Sequence, residues 1–367
     1  MNKKARVIAI YLPQFYPIDE NDKWWGKGFT EWTNVGKAKP LFKGHQQPRV
    51  PADLGYYDLR LNEVREAQAE MARNAGIEGF MYWSYWFGNG RTLLERVFSE
   101  VVESGKPDFP FCLGWANHSW TTKTWSPKGQ YGSETMIMEQ LYPGVKDYTD
   151  HFNCRLKAFK DKRYITVDGK PIFYIYEPHM FKDVKLFIDT WQKLAKNNGL
   201  KGIHFIGQTQ RDVDYKVLLD SGFNAACRNG IVDAADRIKG KTMNFILTKF
   251  RYRFKYTPLN KYKYSDIVEH ILNPEIDKLE NVYPMVIPNF DHSPRSGRKG
   301  LIYVDSTPGL FKKLLNKTIQ LIEHKQDEHK IIFLRSWNEW AEGNYVEPDL
   351  VHGTGYLDAL KEEIIDI

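Results

Sequence analysis

The sequence predicts a (β/α)8 TIM barrel, and three observations support this fold class. Short apolar runs typical of buried strands alternate along the 367 residues with segments of helical periodicity. Strands that alternate with helices indicate a parallel sheet, and eight such pairs close into a barrel. No Gly-x-Gly-x-x-Gly motif follows the first strand, which disfavours the alternative of an open doubly wound sheet. With no internal repeat, we expect a single domain over 1–367, with an insertion at about 230–265 between strands 6 and 7.

The predicted strands are nearly continuous apolar runs, as expected for strands that are buried on both faces of a parallel sheet. Ala5 to Leu12 is the first strand, and Pro13 ends it. The other seven strands are predicted at Gly79–Trp83, Phe109–Trp115, Pro171–Tyr176, Gly202–Gly207, Phe223–Cys227, Pro284–Pro288 and Ile331–Leu334.

The predicted helices fall between these strands. Glu63–Ala75 places Val64, Ala67 and Met71 on one face, and Gly76 follows as a cap. The others are predicted at Thr92–Glu103, Val145–Phe159, Val184–Asn197, Val213–Leu219, from near Asp266, at Thr307–His324 and at Thr354–Ile365. A long β1–α1 loop is expected from Gln14 to about Arg60. Loops of this length are usually functional or disordered, and its many tryptophans disfavour disorder.

The positive charge is concentrated in one stretch. The net charge is +6, but Ile238–Ser265 contains eight Lys/Arg and no acidic residue, which leaves −2 for the rest of the chain. Aromatic and aliphatic residues are interleaved with these cations, from Phe245 to Tyr256. Two interpretations of this stretch are open: a solvent-exposed segment over the barrel rim, and a surface that makes peripheral contact with a membrane or an anionic glycan. No nucleic-acid motif accompanies the stretch, so no nucleic-acid partner is expected.

Three cysteines without a CxxC pair do not suit a disulfide framework, which indicates a reducing compartment. The apolar run Val7–Leu12 is too short for a signal peptide, and no stretch approaches a membrane span. We therefore expect a cytoplasmic protein, peripheral at the inner membrane if the basic stretch binds there. The sequence leaves the oligomeric state open.

The strongest chemical signal is Ser336-Trp337-Asn338-Glu339-Trp340-Ala341-Glu342-Gly343, which follows the last predicted strand. Paired carboxyl groups can supply an acid and a base, and tryptophan offers a flat apolar face to a sugar ring. The alternative is that the glutamates are solvated and the tryptophans are core. Their position at a strand end favours Glu339 and Glu342 as catalytic residues, because barrel enzymes carry their chemistry on the loops that follow the strands.

Most residues that follow the other predicted strands are aromatic, amide or acidic side chains, and those that precede the strands are not similarly enriched. We predict that such residues, with others of the long loop and the C-terminal motif, form a cleft that binds an oligosaccharide or polysaccharide. The predicted substrate-binding residues are Gln14, Trp25, Glu31, Trp32, Trp83, Tyr85, Trp86, Trp115, Asn117, His118, Glu177, Gln208, Asn289, Asp291, Trp337, Asn338 and Glu347.

Some of these residues have a second interpretation. Glu31 and Glu177 could instead orient their loops through hydrogen bonds. His118 has no zinc-type spacing to other ligands, so neither a metal nor another cofactor is expected. Asp212-Val213-Asp214 resembles the DxD motif with which many glycosyltransferases hold a metal-bound nucleotide sugar, although a lone DxD often arises by chance.

Across almost its whole length the chain resembles the WbsX family of bacterial polysaccharide-locus proteins, which is similar to glycoside hydrolase family 99. The resemblance lies in Tyr11-Leu12-Pro13-Gln14-Phe15, the 21–32 segment, Lys39–Phe42 to Asp53–Gly55, Trp115-Ala116-Asn117, 337–343 and Glu347-Pro348. It implies a barrel that acts on glycans. The family 99 relatives cleave α-mannosidic bonds with retention through two glutamates in Trp-Asn-Glu-Trp-His-Glu-Gly.

In those relatives the first glutamate is the base toward the sugar 2-hydroxyl, and the second is the acid/base at the leaving oxygen. By position, the resemblance gives these roles to Glu339 and Glu342. Two glutamates on one turn suit internal attack by the 2-hydroxyl better than attack by a protein nucleophile. Ala341 replaces the histidine of that motif, and the N-terminal segment follows the WbsX proteins.

Three functions follow from these features. The first is a retaining glycoside hydrolase that acts on a bacterial polysaccharide. The alternative is a glycosyltransferase of O-antigen, lipopolysaccharide or capsule biosynthesis, since proteins of the WbsX group are commonly labelled glycosyltransferases. The third is a glycan-binding protein that has lost catalysis.

Overall fold

In the computed structural model, residues 3–121, 135–253 and 259–366 are described. Their strands are β1 Arg6–Tyr11, β2 Gly79–Trp86, β3 Thr92–Leu93, β4 Phe111–Trp115, β5 Trp120–Thr121, β6 Met136–Met138, β7 Thr166–Val167, β8 Lys170–Ile175, β9 His204–Thr209, β10 Ala225–Arg228, β11 Asn260–Lys263, β12 Val282–Val286, β13 Leu301–Val304, β14 Ile331–Leu334, β15 Asn338–Glu339 and β16 Asn344–Tyr345. Eight of them pair in parallel in the order β1-β2-β4-β8-β9-β10-β12-β14, and β14 pairs with β1. This closed sheet confirms the predicted (β/α)8 barrel.

The helices of the described residues surround this sheet or extend its loops. They are α1 Asp19–Trp25, α2 Glu31–Lys37, α3 Asn62–Asn74, α4 Arg96–Ser104, α5 Val145–Phe159, α6 Val184–Asn197, α7 Asp214–Asp220, α8 Ile231–Lys239, α9 Lys241–Arg253, α10 Tyr264–His270, α11 Pro274–Asp277, α12 Ser293–Ser296, α13 Pro308–Ile322 and α14 Gly355–Ile364. None of these helices is long and apolar enough to cross a membrane.

Local sequence explains where the helices begin and which face they bury. In α13, Pro308 occupies the first turn and the Thr307 hydroxyl accepts a hydrogen bond from the Leu310 amide over 3.3 Å. Buried residues of this helix recur at helical spacing, at Phe311, Leu314, Leu315, Thr318, Ile319 and Ile322.

Two predictions of local structure need correction. The helix predicted from Thr92 begins only at Arg96, because Thr92–Leu93 pairs antiparallel with the end of β2 and Leu94 has a φ of +58°. The predicted loop from Gln14 to Arg60 contains α1 and α2. Thr30 forms a capping box with Thr33 at the start of α2.

The barrel interior is filled by aromatic rings below the carboxyl ends of the strands. Tyr174 of β8 lies 5.9 Å from Trp83 and 5.2 Å from Phe333 of β14, measured between ring centroids. Because β8 and β14 lie on opposite sides of the barrel, these contacts cross its axis. Gly114 of β4 leaves room for them, since a Cβ there would lie 2.8 Å from Cε of Met81.

The chain between β10 and β12, where we predict the insertion, forms α8, α9, β11, α10 and α11. β11 pairs in parallel with β13, outside the barrel sheet. Phe254 and Tyr256, two aromatic residues of the basic stretch, lie outside the described residues.

Candidate active site

Glu339 and Glu342 lie on a tight loop that follows the last barrel strand. β15 and β16 pair antiparallel, and a turn of Trp340–Glu342 connects them. Gly343 ends the turn with a φ of +63°, and a Cβ there would lie 2.8 Å from Cβ of Asp291. Both the backbone conformation and the close approach therefore require glycine. Both carboxyl groups are buried.

Asn338 attaches this loop to the first strand. Its Oδ1 accepts a hydrogen bond from the Leu12 amide over 2.8 Å, and its Nδ2 donates to the Leu12 carbonyl over 3.1 Å. The Trp337 amide donates to the Ile10 carbonyl over 2.7 Å. The position of both glutamates is thus set by the junction of strands β1 and β14.

Glu342 contacts two arginines and a histidine. Its Oε1 accepts a hydrogen bond from Arg295 and lies 3.6 Å from Nε2 of His292. Its Oε2 accepts from Arg335 over 3.0 Å and from Asn344 over 3.1 Å. Burial acts to raise the pKa of Glu342, but Arg295, His292 and Arg335 together hold that pKa well below its ordinary value. Glu342 is therefore an ionised carboxylate.

Glu339 has the opposite electrostatic environment. Burial, followed by the negative charge of Glu342, raises the pKa of Glu339 to about 8. The two carboxyl groups are close enough to share a hydrogen bond, and the Trp83 indole donates to Oε1 of Glu339 over 3.2 Å. The pair therefore holds one proton at neutral pH, and Glu339 carries it. This arrangement is the reverse of the roles that the family resemblance implies.

Arg295 also binds Glu31, the acidic residue predicted in the long first loop. Its Nε and Nη2 donate to Oε1 of Glu31 over 3.1 and 2.5 Å. Glu31 is completely buried, and burial raises its pKa although Arg295 opposes the shift. Arg295 therefore bridges α2 and the loop that carries Glu339 and Glu342, and Glu31 holds Arg295 in position.

Aromatic side chains line the space beside Glu339. Trp83 lies 5.5 Å from Tyr176, and Tyr176 lies 5.3 Å from the ring of His118. Tyr85 packs on Trp120 at 5.3 Å, and burial and the charge of Glu339 both raise the pKa of its phenol. Burial lowers the pKa of His118 to about 4, against the charge of Glu342, so His118 is neutral at pH 7.

Three predicted polar residues orient neighbouring strand ends. Asn117 holds the backbone of Glu177, accepting from its amide over 2.7 Å and donating to its carbonyl over 2.9 Å. Burial raises the pKa of the half-buried Glu177 carboxyl, while a hydrogen bond from Gln210 opposes this. Gln208 accepts from the Tyr174 hydroxyl over 2.8 Å inside the barrel.

Four predicted residues support the site from behind it. Glu347 is buried and accepts hydrogen bonds from Tyr57, Gln68 and the Trp340 indole over 2.8, 2.6 and 2.6 Å, and burial raises its pKa to about 7. Trp32 packs 5.5 Å from Trp340. The other two are Gln14, whose carbonyl accepts from the Glu31 amide, and Trp337, which packs on Phe80 at 5.2 Å.

Asp291 and Asn289 at the end of β12 are occupied by protein contacts. Oδ2 of Asp291 accepts from His45 over 2.7 Å and from Gln47 over 2.6 Å, which attaches the long first loop to the segment that follows β12. Burial acts to raise the Asp291 pKa, but these hydrogen bonds lower it. Asn289 accepts from the Ser306 hydroxyl over 2.7 Å.

The structure turns two of the predicted tryptophans away from the glutamates. Trp86 and Trp115 point outward from the sheet: Trp86 stacks on His151 at 4.7 Å, and Trp115 packs on Phe187 at 5.3 Å. The indole of Trp86 donates to Asp147 over 3.0 Å. Trp25 lies on α1, 6.1 Å from Phe29.

Sequence reasoning missed the cations of the site. Arg335 directly follows β14, and His292 and Arg295 follow the end of β12. Their position after strands is the signal that could have identified them, because barrel enzymes carry their chemistry on the loops that follow the strands.

The DxD motif does not present a free carboxylate pair. Asp212 accepts hydrogen bonds from Arg228 over 2.9 Å, from Asn273 over 2.6 Å and from Arg237. Within 3–121, 135–253 and 259–366, no cluster of three or more His, Cys, Asp or Glu side chains could hold a metal ion. Asp212 instead joins an ion-pair network that links α8 with α11.

Comparison with known proteins agrees with this architecture. The family described as glycosyltransferase WbsX matches residues 7–360. WxcX proteins from two strains of Xanthomonas campestris pv. campestris, B100 and ATCC 33913, are each 32% identical over 371 residues, covering 98% of this chain and 50% of the relative. The chain thus spans about half the length of the curated relatives it matches.

Two solved structures share the fold at low sequence identity. A glycoside hydrolase-like protein matches with a TM-score of 0.61 and 16% identity over 100% of this chain and 95% of its own. A family 99 endo-α-mannosidase from Bacteroides thetaiotaomicron matches with a TM-score of 0.59 and 15% identity over 99% and 96%. With the family match extending over nearly all of its residues, the chain belongs to the glycosyltransferase WbsX family.

Proposed function

We propose that this chain is a carbohydrate-active enzyme that cleaves a glycosidic bond of a bacterial polysaccharide with retention, using Glu339 and Glu342. One observation carries the proposal: two buried carboxyl groups lie on one turn at the carboxyl end of the barrel, and of the two, Glu342 accepts hydrogen bonds from Arg295 and Arg335. The arginines favour the ionised form of Glu342, and burial favours the protonated form of Glu339. Glycosidic cleavage needs a proton donor for the leaving oxygen and a carboxylate that acts on the sugar. This pair supplies both at neutral pH.

The proton distribution favours Glu339 as the acid/base. In the first step Glu339 protonates the leaving oxygen as the C1–O bond breaks, and the 2-hydroxyl oxygen bonds to C1. Glu342 accepts the 2-hydroxyl proton. The bound 2-hydroxyl takes the place of one arginine hydrogen bond to Glu342, and this loss raises the basicity of Glu342. Water then opens the anhydro sugar at C1, giving its proton to Glu339, while Glu342 returns its proton to O2.

The walls of the site suit a sugar ring. Trp83 and Tyr176 are partly exposed and offer apolar faces, and neutral His118 offers a ring nitrogen to a hydroxyl group. Glu177 adds a half-buried carboxyl group whose backbone is held by Asn117. We assign these residues, and not the outward-facing Trp86 and Trp115, to substrate binding.

The test has two stages. A thermal-shift panel of mannosides, galactosides, rhamnosides and fucosides on Glu342→Gln identifies the sugar, since a ligand at ~100 times its Kd adds about 2.7 kcal/mol. Turnover of the corresponding oligosaccharide is then followed by NMR, and the first anomer released reports retention. Glu275→Gln, which changes an exposed glutamate, is the matched control. Turnover near the wild-type rate in either Glu339→Gln or Glu342→Gln would sink the assignment.

Glycosyl transfer is the second candidate, and the description of the family favours it. A transferase that uses nucleotide sugars needs a site for the diphosphate. The same thermal-shift panel therefore includes nucleoside diphosphates and their sugars, with and without Mn²⁺. Stabilisation by nucleotides, with none by simple glycosides, would replace hydrolysis by transfer. Affinity for a glycan without turnover of any kind would instead favour the silent binding protein.

A further inference from the structure

Helix α9 exposes apolar side chains on a basic segment. Met243, Phe245, Ile246 and Phe250 each keep between 46% and 58% of their surface exposed. Met243, Ile246 and Phe250 recur at i, i+3 and i+7, which places them along one side of the helix. An exposed apolar row of this kind is a common sign of an interaction surface.

The charge around this row has one sign. The 238–265 stretch carries eight Lys/Arg and no Asp or Glu. Lys241 and Lys249 of α9 are exposed, and the Lys249 ammonium lies 4.5 Å from the centre of the Phe245 ring. Cations and apolar side chains therefore share one 13-residue helix, which is about 20 Å long.

α9 is fixed to the barrel on the side of the catalytic loop. Asn244 donates to Asp236 of α8 over 2.7 Å and accepts from the Tyr262 hydroxyl of β11 over 3.1 Å. β11 pairs with β13, and β13 exchanges backbone hydrogen bonds of 2.7 and 2.9 Å with Phe290 and His292. His292 touches Glu342, so this chain of contacts runs from α9 to the proposed active site.

We propose that α9 binds the surface of an anionic phospholipid bilayer, with Met243 and Ile246 at the acyl boundary and Lys241 and Lys249 among the phosphates. The combination of an apolar row with a local excess of cations is that of an interfacial helix. A polyanionic glycan would satisfy the charges but would leave the apolar row in water. Because α9 lies on the side of the catalytic loop, bilayer binding brings that side of the barrel toward the lipid headgroups.

The experiment is vesicle co-sedimentation of the whole chain. One vesicle type is phosphatidylcholine mixed with phosphatidylglycerol, and the other is phosphatidylcholine alone. We expect sedimentation with the anionic vesicles, and its reduction by added salt. Met243→Ser with Ile246→Ser should reduce the partition coefficient at least tenfold, and Lys241→Gln with Lys249→Gln by about 25-fold, at about fivefold per charge.

The matched control is Leu186→Ser with Lys193→Gln, two exposed positions on helix α6. This variant should sediment like the wild type, and thermal unfolding checks that all three variants fold. The proposal is overturned if the wild-type chain does not sediment with anionic vesicles, or sediments equally with neutral ones. It is also overturned if both α9 variants sediment normally, or if α9 mediates dimer formation in sedimentation velocity without vesicle binding.

Discussion

Trp83 donates its indole N–H to Oε1 of Glu339 over 3.2 Å. The two residues are 256 positions apart in the chain, on strand β2 and after strand β14, and meet at the carboxyl end of the barrel. Because Oε1 already accepts this bond, the proton of the neutral Glu339 carboxyl group belongs on Oε2. Trp83 thus selects the oxygen of Glu339 that can donate a proton in the proposed reaction.

Trp83→Phe tests this relationship, because it keeps an aromatic face and removes the donor. We expect kcat to fall about tenfold, the equivalent of one neutral hydrogen bond of about 1.4 kcal/mol, with a smaller change in KM. Trp86→Phe is the matched control for folding, since the Trp86 indole donates to Asp147 away from the glutamates. An equal loss of kcat in both variants would contradict the role of Trp83.

Arg335→Gln should change the pH dependence of activity. Removing this cation raises the pKa of Glu342, so the acid limb of the kcat/KM profile should move to higher pH. Breaking a buried ion pair should also lower the free energy of unfolding by roughly 3–5 kcal/mol.

Glu342 has a depressed pKa when folded, so its contribution to stability is present above the unfolded value and is lost as pH falls. In Arg335→Gln the folded pKa lies closer to the unfolded value, so less stability should be lost as the pH falls. Arg335→Lys should restore part of both effects. Arg60→Gln, which breaks an exposed pair with Asp58, should cost less than about 1 kcal/mol. An acid limb unchanged from wild type in Arg335→Gln would show that Arg335 does not set the protonation of Glu342.

Protonation of Glu339 should be visible in the stability of the free protein. Its folded pKa of about 8 lies above its unfolded value of about 4.3, so its stabilising proton is lost as pH rises through the folded pKa. Between about pH 7 and about pH 8, the free energy of unfolding in urea should fall by about 1 kcal/mol.

Glu339→Gln should remove this decrease. Glu347 and Lys325, whose pKa values are about 7 and about 8, also titrate in this window, but both remain in Glu339→Gln, so the difference between the two proteins reports Glu339. Glu275→Gln serves again as the control, and should keep the wild-type slope. A wild-type slope in Glu339→Gln would mean that another group holds the proton.

Asp291→Asn should loosen the long first loop. The asparagine amide has one acceptor oxygen, so it cannot accept from the Ser293 amide on one side and from His45 and Gln47 on the other, and each buried unsatisfied donor costs about 1–3 kcal/mol. We expect a lower Tm and faster limited proteolysis near these two residues. Asp327→Asn, at a side chain that is 96% exposed, is the control and should leave both measurements unchanged. Wild-type proteolysis of Asp291→Asn would show that the loop is held elsewhere.

Strand and helix positions could be predicted from the sequence because their signals are local. The eight barrel strands are short apolar runs, and α5 and α6 have the bounds that were predicted. The predicted helix start was wrong at Thr92–Leu93, because these two residues pair with strand β2 and this strand pairing overrides their local helical pattern. The sequence also allows the direction of the Trp86 side chain to be predicted. Side chains alternate along a strand, so Trp86 points outward if Trp83 and Tyr85 point into the barrel.

The sequence by itself determined the barrel, the family and the loop that carries the paired glutamates, because the strand pattern and the Trp-Asn-Glu-Trp string lie within short segments. Only the tertiary structure decided which glutamate keeps a proton. That difference depends on burial and on Arg295, Arg335 and His292, which reach Glu342 from the ends of two strands. Charge interactions depend on distance in space, and spacing along the chain does not reveal which cation reaches which carboxylate.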